Sequence, residues 1–189
     1  SPSEHEIEDI ENRSRLRAPI IYEIVREESD EEMDRPIASL WWSGVAAGLS
    51  ISFSPLAQAS LFILLPDRPW RSLIADFGYS VGFLIVVLAR QQLFTENTLT
   101  VVLPVMAEFS RRNLFRAGRI WSVVLAANLT GTVIAAAFCI FSPALDPAIR
   151  DAMVDLSRQT LTHTPWEMLF RGITAGFLIA AMVWLIPSA

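Results

Sequence analysis

The stretch QQLFTENTLTVVLPV, residues 91–105, interrupts an otherwise apolar part of the chain with a dense polar cluster. Seventeen largely apolar residues precede it at 73–89, and a shorter apolar segment follows at 99–107. Lipid offers no hydrogen-bond partners, so polar side chains and irregular backbone persist at membrane depth only inside protein or beside a wet cavity. The pattern predicts a discontinuous membrane helix, a device that is common at transport sites.

An extramembrane turn between two separate helices is the alternative interpretation of this stretch. The apolar segment 99–107 contains Pro104 and has about half of the roughly 20 residues that a helix needs to cross a bilayer. Its shortness favours one crossing made of two half-helices, interrupted at residues 90–98.

Composition divides the chain into an acidic head and a membrane body. Apolar residues make up 52% of the sequence, and mean hydropathy is positive despite 20 acidic side chains. Residues 1–36 contain twelve of those acids and five arginines, whereas residues 37–189 contain eight acids and ten arginines. The head is either a docking or gating element or a solvated tail with one short amphipathic helix. Its runs of like charge favour the solvated tail.

Four crossings are predicted within residues 37–189, which we treat as one transmembrane domain. Their bounds are 37–65, 73–107 with the break at 90–98, 120–141 and 168–186. The first is longer than a bilayer requires and contains Pro55, where a kink is one explanation of the excess. The fold class is therefore an all-α membrane protein, a helical bundle whose second transmembrane helix is broken.

The distribution of arginine predicts the orientation of the chain. Five arginines lie in the head and four in the loop 111–119, whereas the two links on the other side contain two each. Cytoplasmic flanks are enriched in basic residues, so the amino terminus is predicted to be cytoplasmic. None of the 15 basic residues is lysine, which argues against a nucleic acid partner.

Six of the eight glycines form three G-x-x-x-G pairs, one in each of three predicted spans. Such pairs let helix backbones approach closely in membranes, so we expect them to mediate helix packing. The pairs are Gly44 with Gly48, Gly78 with Gly82, and Gly172 with Gly176. The first and third also share an alanine at an offset of 128 residues, which fits either an inverted repeat or coincidence.

The residues of the break resemble the formate/nitrite transporter family of pentameric anion channels, and most closely its bacterial members with an acidic amino-terminal head. Leu93, Phe94 and Thr95 match the loop that breaks the family's second helix, and residues 127–131 and 172–184 align as well. The resemblance covers residues 16–189. It implies an aquaporin-like fold of two inverted repeats, of which this sequence contains the first and one helix of the second.

The resemblance also implies a homopentamer in the bacterial inner membrane, with a small anion as substrate and the lipid bilayer as its other partner. Adding the repeat offset to Thr95 puts a second break near residue 223, beyond the last residue of this sequence. We therefore expect the natural gene to encode roughly a hundred further residues with two more spans.

Tyr79 and Phe83 fall where the family has bulky residues that constrict the pore. They are four positions apart and so share one helix face, although ordinary helix packing would explain that spacing equally well. Phe94 would close the constriction from the loop, beside Leu93, and the Thr95 hydroxyl would donate a hydrogen bond to a partly dehydrated anion.

Two charged or titratable residues of the family's pore are missing from this sequence. The pore histidine has no counterpart, since the two histidines are His5 and His163, and the lysine before the fourth span falls near Thr160. Arg90, which continues the helix face of the two aromatic residues, is therefore the candidate that attracts the anion. Its alternative role is structural, as the partner of Glu96 in a buried ion pair.

These observations predict a channel or transporter for small monovalent anions, formate-like or nitrite-like by the resemblance. A membrane scaffold whose acidic head binds a cytoplasmic partner is the alternative. No paired carboxylates, no nucleophile beside a base and no metal-ligand spacing appear in the sequence. We therefore predict no enzyme activity, no cofactor and no metal.

Overall fold

The computed structural model describes residues 18–186, which form helices joined by short links and contain no strand. Four segments are long and apolar enough to cross a membrane, namely Ile37–Leu64, Arg71–Leu88, Arg111–Phe141 and Pro165–Leu185. The predicted class, an all-α membrane protein, is confirmed. The helices of the described part are α1 (Ala18–Asp34), α2 (Ile37–Ile51), α3 (Phe53–Leu64), α4 (Arg71–Gly78), α5 (Ser80–Leu88), α6 (Asn97–Ala107), α7 (Arg111–Phe141), α8 (Pro147–Leu161) and α9 (Pro165–Leu185).

The first span is divided at Ser52, between α2 and α3. Pro55 has no N–H with which to reach the carbonyl of Ile51, so the helical hydrogen-bond ladder is interrupted one turn before the proline. The Ser52 hydroxyl donates a hydrogen bond of 2.8 Å to the carbonyl of Gly48, which gives that carbonyl a partner at the interruption. The second span is also divided, at Tyr79 between α4 and α5, without a proline in the following turn.

Helices α2 and α7 pack closely because glycine faces backbone on both sides. A Cβ added to Gly44 would lie 2.7 Å from that of Ala127, and one added to Gly48 would overlap the carbonyl oxygen of Asn128. Gly131 of α7 faces the α2 backbone in return. The G-x-x-x-G spacing predicted the two glycines of α2 but not Gly131, which has no glycine four positions away.

The second glycine pair packs α4 and α5 against the first span. A Cβ on Gly78 would lie 2.9 Å from the backbone of Ala57, and one on Gly82 would overlap the hydroxyl of Ser54. The Gly82 N–H donates to that hydroxyl at 3.1 Å, which satisfies a buried serine in an apolar environment.

Helix α9 differs from the other spans because it is hardly covered by the described residues. All its residues from 165 to 178 are exposed, and among the described helices it packs chiefly on α1 and α6. Nothing within residues 18–186 comes within 4 Å of a Cβ added to Gly172 or Gly176. The close helix packing expected at this pair is therefore not found in the described part of the chain.

The head contains one amphipathic helix, as the favoured interpretation expected, but over residues 18–34 this helix packs on the membrane body. Met33 is fully buried in a cluster with Leu40 and Val124. Val25, about two turns earlier on α1, is 1% exposed. The acidic run at residues 4–12 lies outside the described residues. The α1 helix is also longer than the short helix expected near residues 16–25.

Two arginines of α7 hold the carboxyl end of α1. Arg116 forms an ion pair with Asp34 at 2.7 Å, and Arg119 donates to the carbonyl of Met33 at 2.7 Å and to that of Arg35 at 3.2 Å. Free carbonyls at a helix end favour a cation, so these arginines complement the dipole of α1.

At the other end of α7, the link helix α8 packs on α3. A cavity of about 820 Å³ lies between α8 and the ends of α3 and α4. Its wall includes Asp76, whose carboxylate accepts a hydrogen bond from the Gln58 amide at 2.8 Å, and also His163. This groove is separate from the break.

Candidate functional site

The break begins where α5 ends in a turn of the Schellman type. The N–H of Gln91 donates to the carbonyl of Val86 at 3.0 Å, and the N–H of Arg90 donates to that of Val87 at 3.1 Å. This pattern requires a left-handed residue at position 90, a place that glycine usually takes. Arg90 adopts it with φ of 48°, the one positive φ among the non-glycine residues described.

The side chain of Arg90 lies at a cavity of about 270 Å³ between α1, the break and the end of α9. Glu28, Glu31, Glu32 and Glu96 line the same cavity. Within residues 18–186, no carboxylate oxygen lies within 4 Å of the Arg90 guanidinium. The ion pair with Glu96, the alternative role considered for Arg90, is therefore not formed in this structure, although both residues line the same cavity.

Asn128 of α7 holds the loop after the turn. Its amide nitrogen donates to the carbonyls of Gly44 and Gln92 at 2.8 and 2.9 Å, and its amide oxygen accepts the N–H of Phe94 at 2.8 Å. Three bonds therefore join α2, α7 and the break through one side chain that is 8% exposed. Such bonding satisfies the backbone of a non-helical segment that lipid cannot solvate.

Gln92 is the second polar residue that organises the break. Its backbone N–H donates to the Ser43 hydroxyl at 3.1 Å, and its side-chain nitrogen donates to the carboxylate of Glu32 at 2.8 Å. Its side-chain oxygen accepts from the Asn97 amide at 2.9 Å. The head helix, the first span and the second half-helix thus meet at a residue that is 7% exposed.

The aromatic stripe reaches the break on the α4–α5 side. The rings of Tyr79 and Phe83 lie with their centroids 6.1 Å apart, and Phe83 packs against a cluster of Ala47, Val86 and Leu93. Tyr79 is 46% exposed, so one side of the stripe is open in the described part of the chain. The structure brings these two aromatic residues and Leu93 to one region.

Phe94 points into a different region from the aromatic stripe. Its ring meets Trp121 edge on, with centroids 6.5 Å apart, and packs against the cluster that contains Met33 and Val101. Thr95, the next residue, is exposed, and its hydroxyl forms no hydrogen bond to any described residue. A free donor therefore stands at the tip of the loop, while Phe94 anchors the loop to the core.

Asn128 and Gln92 were missed as site residues when only the sequence was considered. Asn128 was noted as part of a matching segment, and Gln92 as one of several polar residues in the break. The available signal was an uncharged amide in the middle of an apolar span, since such a group must find partners inside the protein. The identity of those partners depends on contacts between residues up to 60 positions apart.

The fold and this site together define a helical membrane protein with a discontinuous span. A family model described as formate/nitrite transporter matches residues 19–189. The chain therefore belongs to the formate/nitrite transporter family, as the resemblance predicted.

Two relatives show how much of a family member this sequence represents. The chain is 43% identical to the inner membrane protein YfdC of Escherichia coli over 183 residues, which are 97% of this chain and 59% of that protein. It is 26% identical to the formate channel FocA of Haemophilus influenzae over 156 residues, which are 80% of this chain and 54% of that protein. The chain thus spans little more than half the length of the relatives it matches.

Proposed function

We propose that this chain contributes the broken-helix part of a channel or transporter for small monovalent anions, of the formate or nitrite type, in the bacterial inner membrane. Membership of the formate/nitrite transporter family supports the class of protein. The relatives described as an inner membrane protein and a formate channel support the location and the substrate class.

The observation that carries this proposal is the loop held by Asn128 and Gln92 between two apolar half-helices. Hydrogen bonds from Asn128 of α7 and Ser43 of α2 fix the backbone of Gln92 and Phe94, which is not helical. Maintaining such a segment inside a membrane is costly, and the known reason to do so is to place polar groups beside a permeation path.

The path we propose follows the aromatic stripe to the tip of the loop. Tyr79 and Phe83, with Leu93, would form a narrow apolar constriction that excludes hydrated ions. The free hydroxyl of Thr95 would replace part of the hydration that an anion loses there. Phe94 would support the constriction indirectly, by fixing the loop against α7.

Arg90 is the residue that we propose attracts the anion. A non-glycine residue in the left-handed conformation costs about 1–2 kcal/mol, so glycine would be the more stable choice at this turn. The four glutamates of the same cavity repel anions, and Arg90 is the basic side chain in its wall. A role for the charge would explain why an arginine is retained in a strained position.

The remaining parts of the proposal concern assembly and orientation. A homopentamer follows from the family, and the exposed face of α9 with Gly172 and Gly176 offers a surface for close helix packing. The amino terminus is taken to be cytoplasmic from the arginine distribution. Channels and transporters of this family are not enzymes, and we propose no catalytic residue.

The scaffold alternative receives less support than the channel. It requires the head to present a surface to a partner, but Met33, Val25 and the carboxyl end of α1 are occupied by the chain itself. The exposed acids of α1 are what such a partner would have to bind.

Anion flux into proteoliposomes that contain the purified protein tests the function. Formate and nitrite should enter quickly, whereas sulfate and sucrose should be excluded by the constriction. Protein-free vesicles and vesicles with Asn128→Ala, which removes two hydrogen bonds to the break and one to α2, are the controls. Formate and nitrite entry at the rate of protein-free vesicles would contradict the channel and leave the scaffold.

A further inference from the structure

We propose that the amino-terminal end of α7 carries a binding site for the headgroups of anionic phospholipids, made of Phe109, Arg111, Arg112 and Phe115. We call these four residues the Arg111 patch. The patch lies outside the break, the aromatic stripe and the acidic cavity, so it does not depend on the transported substrate.

The charge of the patch is not used by the rest of the described chain. The two other arginines in the first nine residues of α7, Arg116 and Arg119, bind the end of α1. Arg111 and Arg112 are exposed, and neither forms an ion pair or a side-chain hydrogen bond with any of residues 18–186. Glu108 is the one acid among residues 106–115, so the local charge remains positive.

Two exposed aromatic rings flank these arginines. Phe109 is 83% exposed and Phe115 is 77% exposed, and neither meets another aromatic ring in the described part of the molecule. Apolar rings beside unpaired guanidinium groups suit the membrane interface, where the ring inserts among the acyl chains and the guanidinium binds phosphate. Charge complementarity thus points to an anionic lipid rather than a neutral one.

The length of α7 places the patch at the level of the lipid headgroups. A helix of 31 residues is about 46 Å long, whereas the hydrocarbon core of a bilayer is about 30 Å thick. With both headgroup layers a bilayer is about 40–45 Å thick, close to the length of α7, so the amino-terminal end that carries all the arginines of α7 reaches a headgroup layer. The first turns of α7 therefore extend through the headgroup layer.

Native mass spectrometry of the full chain in detergent, with phosphatidylglycerol or phosphatidylcholine added, tests this site. The protein should bind phosphatidylglycerol in preference, and Arg111→Gln with Arg112→Gln should weaken that binding about 30-fold, or about fivefold for each arginine. Binding of phosphatidylcholine should not change. The variant Arg111→Lys with Arg112→Lys keeps both charges and should retain most of the binding.

A matched control removes the same charge from another surface. Arg150→Gln with Arg158→Gln neutralises two arginines of α8, at the other end of α7, and should leave phosphatidylglycerol binding unchanged. An equal loss in the two glutamine variants would overturn the patch, because charge anywhere would then suffice. No loss in the Arg111 and Arg112 variant would overturn it as well.

Two further measurements separate a lipid surface from a soluble anion and from loss of folding. Free glycerol phosphate should not displace phosphatidylglycerol at equal concentration, and equal displacement would overturn the lipid assignment. Phe109→Ser with Phe115→Ser should weaken binding of both lipids. Because all four side chains are exposed, the thermal midpoints of these variants in lipid-free detergent should equal that of the parent protein, and a fall in the midpoint of every variant would overturn the patch as a free surface.

Discussion

Arg90 has a strained backbone conformation, and its side chain is the basic group of a cavity lined by glutamates. Substitutions can remove the strain and the charge separately, so the effects of the two can be distinguished. Arg90→Gly should stabilise the protein by about 1 kcal/mol, because glycine adopts the left-handed conformation without strain, and should lower anion flux. Arg90→Gln should lower flux without the gain in stability, whereas Arg90→Lys should keep most of the flux. Thermal unfolding and proteoliposome flux are the two measurements. Undiminished flux in both uncharged variants would remove Arg90 from the path.

Leu93 and Phe94 are adjacent but face different clusters, which makes them a matched pair. Leu93→Ala opens the region beside Phe83 and should raise the leak of larger solutes into proteoliposomes. Phe94→Ala removes a ring packed on Trp121 and should chiefly lower stability, by about 3 kcal/mol or somewhat less for a partly buried ring. A leak in Phe94→Ala with an unchanged thermal midpoint would instead assign Phe94 to the constriction itself.

At the residue scale, the sequence predicted which kinds of residue form the break better than it predicted which residues contact one another. The polar residues of the break predicted a discontinuous helix because their chemistry is incompatible with lipid. The Arg90–Glu96 ion pair, one of the two alternatives for Arg90, is not formed, because sequence spacing brought both residues to one cavity without fixing where their side chains end. The contacts of Gln92 with Glu32 and Ser43 depend on how three separate elements pack, which no local pattern encodes.

At the scale of elements, replacing a glycine of α2 and replacing a glycine of α9 should have different effects on stability. Gly48→Ala should destabilise the protein by about 1–3 kcal/mol, because its Cβ would overlap backbone atoms of Asn128 and Gly131 in α7, which cannot move aside as a flexible side chain can. Gly172→Ala meets open space and should be neutral or slightly stabilising in a helix. Thermal unfolding in detergent compares them. A loss at Gly172→Ala as large as at Gly48→Ala would mean that the assembled protein covers the α9 face.

The contact between Glu32 and Gln92 should couple the head to the break. A double-mutant cycle with Glu32→Ala and Gln92→Ala should give a coupling free energy of about 1–2 kcal/mol, because the bond is charge-assisted but partly solvated. Hydrogen exchange of the 91–96 backbone should accelerate in each single variant. Strictly additive effects on stability, with unchanged exchange, would show that the head and the break are independent.

The elements themselves were largely predictable, because apolar runs of membrane length depend on local composition. The docking of α1 was not, since a run of acids reads as solvated unless the arginines that meet its end are known. Those arginines are in the first turns of α7, more than 80 positions away. The open face of α9 was also unpredictable, because G-x-x-x-G spacing marks a capacity for packing and does not identify the partner.

For the whole molecule, the orientation in the membrane is testable with single cysteines. In a Cys139→Ser background, Glu108→Cys lies at the α1 end and Ala144→Cys lies at the opposite end of α7; both positions are exposed. A membrane-impermeant thiol reagent added to intact cells should label Ala144→Cys and spare Glu108→Cys, because basic flanks stay in the cytoplasm. The reverse pattern would invert the proposed topology.

The docking of α1 has a consequence for biosynthesis. Arg119 lies 86 positions after Met33, whose carbonyl it binds. At roughly 5–20 residues per second, the ribosome needs about 4–17 seconds to synthesise the chain from Met33 to Arg119. During that interval the apolar side of α1 has no complete binding surface, so α1 reaches its final position only after the first turns of α7 have been synthesised.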